Sequence, residues 1–206
     1  MKTNPLFFNV TQATLRLFSI LLGVGLLLTS CQARAPEREF IAQDLLLAAA
    51  SMPPGWETSG GPHAMGPALG FGDEDDAELA FKSVSEKYNS ADHFVLRFPS
   101  TQLASNWYQE NFSNQYNSNS IAVSAPWTTP STWSFHSSLA SQQHAACTIN
   151  NVAYEKEVCQ FMGQYEEFVV IFWSVIRPNL MTHNQFERTV AAIDGIMRSH
   201  LEESAR

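Results

Sequence analysis

The sequence predicts an α+β domain: an antiparallel β-sheet with amphipathic helices packed on one face, behind an amino-terminal segment that is cleaved off. Three observations predict it. The stretch "EFVVIFWSVI" (167–176) is apolar on both of its period-two faces, as a central strand requires. The stripes Leu103, Ala104, Trp107, Tyr108, Phe112 and Phe186, Val190, Ile193, Met197, Leu201 recur at helical spacing. The run Leu17–Leu28 is apolar for about a dozen residues, short of the ~20 that a helix needs to cross a bilayer, and follows only the charges Lys2 and Arg16. It reads as a signal peptide, which divides the chain into a leader (1–30), a cysteine with a polar tether (31–39) and one domain (40–206).

Along the mature chain, "QARAPERE" (32–39) is polar and holds a proline, the composition of a spacer. "FIAQDLLLAAASM" (40–52) is rich in helix formers and predicts a helix with Ile41, Leu45 and Ala48 on one face, closed by Pro53-Pro54-Gly55. From there to Asp76, glycine and proline interleave and predict a long loop. "AELAFKSVSEKY" (77–88) fits a strand or a short helix and is read as a strand. "HFVLRF" (93–98) alternates and predicts a strand covered on one face; Pro99 ends it and Ser100 can cap the next helix.

The segment to about residue 140 is rich in Ser, Thr and Pro and predicts one or two strands with irregular joins. "HAACTIN" and "EVCQFMG" predict a pair of strands around "NVAYEK". Cys147 shares a face with Ile149 and Cys159 with Phe161. Thr182 and Gln185 have the spacing of a capping box before the last helix. With two helices on one face, the second face needs another cover: the amino-terminal helix with the Pro/Gly loop, a partner protein or a ligand.

The end of the leader, Leu28-Thr29-Ser30-Cys31, resembles the lipobox of bacterial lipoprotein precursors: an aliphatic residue, two small residues and a cysteine. The resemblance covers residues 1–31. It implies that the Cys31 thiol takes a diacylglyceryl group, that cleavage falls before it, and that its new amino group is acylated. The chain would then be held on a lipid bilayer in the cell envelope, facing the extracytoplasmic side, since several acyl chains anchor stably where one is marginal. Gln32 stands where an inner-membrane retention signal has aspartate. That implies the outer membrane of a two-membrane cell, or the outer face of the plasma membrane of a one-membrane cell.

Removing the leader takes away Lys2 and Arg16 and no acidic residue, so the formal charge moves from −8 to −10. Such a surface repels phosphate backbones, which argues against a nucleic-acid partner. With Cys31 assigned to lipid, Cys147 and Cys159 form an even pair in an oxidising compartment and predict a disulfide. Closing that loop constrains the unfolded chain by about 3 kcal/mol in the entropy model.

Reactive motifs are missing. No Gly-x-Ser-x-Gly, Ser-x-x-Lys, His-Glu-x-x-His or phosphate-cradling glycine loop occurs. The run Asp73–Glu78 lacks the ligand order of a calcium loop and reads as solvated charge. His93 follows Asp92, but neighbouring strand residues face opposite ways. Neither a catalytic residue, a cofactor nor a metal site is expected. Trp56, Trp127 and Trp133, in irregular surroundings, are the candidate binding surface. The reading is a non-catalytic envelope module that binds a protein partner or a small ligand. A hydrophobic-ligand carrier and an envelope hydrolase are the alternatives.

Overall fold

The computed structural model describes residues 34–64, 72–84, 90–116, 123–150 and 156–203. Arg34–Arg206 forms one compact unit; the leader and Cys31 lie outside the described residues. The strands are β1 (Trp56–Thr58), β2 (Asp75–Ser83), β3 (Ala91–Arg97), β4 (Gln142–Asn150), β5 (Lys156–Tyr165) and β6 (Phe168–Val175). They form one sheet in the order β1-β2-β3-β6-β5-β4, and every pairing is antiparallel. β6 is central, as its two apolar faces demand.

Two α-helices of the described residues, α1 (Thr101–Gln115) and α2 (His183–Glu203), divide between the faces. On one face, Phe161, Val170 and Phe172 pack with Phe186, Val190, Ile193 and Met197 of α2. On the other, Leu96, Met162 and Val169 pack with Ala104 and Tyr108 of α1, with Leu103, Trp107 and Phe112 beside them. This corrects the expectation of both helices on one face. Each helix has a single apolar stripe and the sheet has two apolar faces, so one helix per face removes the most apolar surface from water. β3 is accordingly covered on both sides, with Val95 at 0% and Leu96 at 1% exposure.

Both helix starts follow the sequence. Ser100 Oγ accepts from Leu103 N–H at 3.2 Å. Gln185 N–H reaches Thr182 Oγ1 at 3.3 Å, while Thr182 N–H donates to Gln185 Oε1 at 2.8 Å.

The amino-terminal segment departs from expectation. Instead of a helix over 40–52 there are two short 3₁₀ turns, Ala42–Leu45 and Ala49–Ser51. Ala42, Leu45 and Leu47 are buried while Ile41 is 53% exposed. The cause is tertiary. Ala42 N–H donates to Asp75 Oδ2 at 2.6 Å and Leu47 N–H to His93 Nδ1 at 3.0 Å. Backbone donors are held by the sheet, and the segment lies on the α2 face beside Phe168 and Phe172.

Residues 34–39 are likewise docked and do not hang free as a spacer. Ala35 N–H donates to Pro99 O at 2.7 Å, and Arg97 Nη2 donates to Pro36 O at 3.0 Å. Arg38 forks onto the buried Glu167, Nε to Oε1 at 2.8 Å and Nη2 to Oε2 at 3.1 Å, and also bonds Glu166. Glu166 takes a left-handed φ of 51° in the tight β5–β6 turn.

Among its described residues, the segment before β4 supplies isolated bridges at Val123 and Thr128 in place of the expected strands. Those bridges satisfy the outer edge of β4, which would otherwise present unpaired backbone groups.

Candidate functional site

Cys147 and Cys159 form the disulfide that the strand register predicts. They are direct partners across β4 and β5, with Cα atoms 4.0 Å apart. Cys147 exchanges both backbone hydrogen bonds with Thr128, each at 2.9 Å, so its backbone groups point away from β5. A pair that exchanges no backbone bonds brings its side chains closest, which is the geometry a cross-strand bridge needs.

The three tryptophans of the expected binding surface do not converge. Trp56 lies in β1 at one edge of the sheet, 8% exposed, with its indole N–H donated to Leu180 O at 3.1 Å. Trp127 and Trp133 flank β4 at the opposite edge. Trp127 meets Tyr116 edge-on at 5.1 Å, on the α1 side. Trp133 packs 5.9 Å from Phe186 of α2 and donates its N–H to Phe135 O at 2.9 Å. Trp56 and Trp133 therefore belong to the packing of the domain.

A different constellation forms on the α1 face, beyond the end of the helix. The register aligns Ala80, Asp92, Trp173 and Gln160 in one row across β2, β3, β6 and β5. The next row holds Glu78, Phe94 and Ile171. Residues facing each other on one side of an antiparallel pair have Cβ atoms about 5 Å apart, so Asp92 sits against Trp173. Trp173, Phe94 and Ile171 are only half-buried.

Asp92 is the unusual member. It is 8% exposed, yet its Oδ1 is buried and accepts no hydrogen bond. Burial raises its pKa from the ordinary 3.8 to about 6, with the charge of Glu78 adding and that of His63 opposing. His63 Nε2 lies 3.4 Å from Glu78 Oε2, and the two residues also form a β-bridge. A buried carboxylate oxygen that accepts no hydrogen bond is costly. Beside a half-exposed tryptophan it can accept a donor from a ligand while the indole stacks on the ligand's flat apolar part.

Sequence reasoning missed this group because Glu78, Asp92 and Trp173 are far apart in the chain and carry no motif; only the register gathers them. The rest of the run Asp73–Glu78 divides between faces, with Asp75 turned to the α2 side and tied to Ala42. A second gathering lies at the disulfide. His183, the first residue of α2, places Nε2 3.0 Å from Glu157 Oε1 beside the two sulfurs. A shallow open groove between Met52-Pro53-Pro54 and Arg188 of α2 offers a mixed polar lining without a comparable buried charge. Among the described residues, no helix is long and apolar enough to cross a membrane.

No family model and no curated protein matches this sequence. The crystal structure of the extracellular domain of PknH from Mycobacterium tuberculosis is similar in fold. Its TM-score is 0.56 at 12% identity, and the match covers 81% of this chain and 100% of that one. At that identity the likeness concerns the arrangement of the backbone.

Proposed function

We propose that the chain is a lipid-anchored, non-catalytic binding module of the cell envelope, and that its ligand contact is the α1 face around Asp92 and Trp173. The observation that carries the binding reading is the buried Asp92 Oδ1, which accepts no hydrogen bond, beside a half-exposed indole. A group that destabilises the empty fold is retained where a ligand relieves it. The ligand chemistry that fits is a small molecule with a hydrogen-bond donor or cation next to a flat apolar group.

Export and anchoring rest on the leader and on Cys31. The disulfide fits an oxidising compartment, and the fold shared with an extracellular domain agrees with it. Metabolic labelling with a fatty acid tests the anchor. Cys31→Ala should yield an unlabelled precursor that keeps residues 1–30.

Native mass spectrometry of protein purified from its own envelope tests the binding site. The expected result is a small molecule carried by the wild type and lost from both Asp92→Ala and Trp173→Ala. A wild type that arrives empty, and whose melting temperature no small aromatic amine shifts, overturns the reading. The carboxylate pair Asp92 and Glu78 also admits a hydrolase. Turnover of glycoside, ester or peptide substrates that Asp92→Asn abolishes would replace binding with catalysis.

A further inference from the structure

Cys147, Cys159, Glu157 and His183 each offer one ligand atom, and the four atoms lie within 4.8 Å of one another. The fold puts them there. Glu157 precedes Cys159 by two residues and so shares its face of β5. Cys147 stands opposite Cys159 on β4, and His183 opens the helix that covers this face. The sulfurs are buried while Glu157 and His183 are half-buried, so the cluster has a closed side and an open side.

We propose that the Cys147–Cys159 disulfide is the closed state of a redox-gated zinc site, whose open state binds Zn²⁺ through the two cysteine sulfurs, His183 Nε2 and a Glu157 carboxylate oxygen. Two thiolates, one imidazole and one carboxylate make a four-coordinate set suited to zinc. Bonds of about 2.0–2.3 Å to a central ion require the sulfurs, now joined, and the Glu157–His183 pair, now 3.0 Å apart, to separate, while the wider spacings of up to 4.8 Å close. In the disulfide the sulfurs are spent on each other, and Glu157 and His183 pair instead, at 3.0 Å.

A dithiol opens the site. One of its thiolates attacks a cystine sulfur, forming a mixed disulfide and releasing the other cysteine as a thiolate. The second thiol of the reductant then displaces the remaining cysteine. Two electrons have passed to the pair, and the reductant leaves as its own disulfide. As zinc binds, both cysteines are held as thiolates and their protons pass to solvent. The site rests on none of the residues around Asp92, so the two proposals stand or fall separately.

Cobalt titration of the full chain tests the site, with Cys31→Ser present so that no third thiol takes part. Oxidised protein should show no cobalt spectrum. Protein reduced with a phosphine, the excess then removed, should bind one Co²⁺ per chain with sulfur-to-cobalt charge transfer and the intense visible bands of a tetrahedral ion. Zinc should displace the cobalt, and should raise the melting temperature of the reduced chain but not of the oxidised one. Cys147→Ser should lose most of the charge-transfer band, and His183→Ala and Glu157→Gln should each weaken binding by about tenfold or more. A reduced chain that binds no cobalt, one whose spectrum survives Cys147→Ser, and one indifferent to both His183→Ala and Glu157→Gln each overturn the proposal. So does a reduced chain that unfolds and is not restored by zinc, as read by near-ultraviolet circular dichroism.

Discussion

Asp92 and His93 are adjacent in β3, and the sheet separates them: Asp92 faces the α1 side against Trp173, while His93 is fully buried on the α2 side, bonded to Leu47 N–H. Burial acts on both and pushes them in opposite directions. It favours the neutral acid and the neutral base alike, raising Asp92 to about 6 and lowering His93 to about 3.

Asp92 makes the fold weaker as the pH rises. Its folded pKa of about 6 lies above the ordinary 3.8, so between these values the folded chain holds a proton that the unfolded chain has lost. Asp92→Asn should therefore be more stable than wild type by about 2 kcal/mol at pH 7.5, with the gap closing by pH 4. Urea unfolding across that range measures it; an equal gap at both ends of the range would contradict the assignment.

His93 works the other way. Unfolded histidine protonates near 6.5, whereas His93 stays neutral down to about 3, so stability is lost as pH falls through that window. His93→Phe should flatten this acid slope. At pH 7 it should cost about 1–3 kcal/mol, because Leu47 N–H is left unpaired. Between pH 4 and 6 the two neighbours offset each other in the wild type, and the single variants should uncover slopes of opposite sign.

Gly163 lies between two rings on the α2 face of β5. A Cβ there would meet Phe161 Cζ at 2.8 Å and Tyr165 Cε2 at 2.9 Å. Both rings are buried and have little room to yield. Gly163→Ala should destabilise by about 1–3 kcal/mol and change the near-ultraviolet circular dichroism of the core.

Arg38 and Glu167 form a buried bidentate pair, with side-chain exposures of 4% and 0%. Removing the cation leaves a buried carboxylate whose other cation, Arg97, stands 3.9 Å away. Arg38→Ala should cost about 3–5 kcal/mol and expose residues 34–39 to proteolysis. Arg38→Lys should restore only part of the loss, because an ammonium cannot fork onto both oxygens.

What was legible in the sequence followed from periodicity and local chemistry. β6 declared itself central because Val169 and Val170, on opposite faces, are both apolar. The Ser100 and Thr182 caps are local rules, and the cystine followed from the even pair of cysteines left once Cys31 is assigned to lipid. The amino-terminal helix was misread because helix propensity is weak against tertiary capture of backbone donors, here by Asp75 and His93. The allotment of helices to faces, the Asp92 constellation and the Cys-Glu-His cluster all depend on which strands become neighbours. No single stretch of sequence states that pairing.

Arg38 and Ala35, held to the β5–β6 turn and to Pro99, turn a nominal leash into a strut. If Cys31 carries the acyl chains, only three residues of sequence stand between the lipidated cysteine and Ala35, the first residue of the strut that bonds Pro99. The body then cannot drift through the periplasm or the medium in search of a target. It would stay close to the head groups, and whatever it meets must come to the membrane surface to be met.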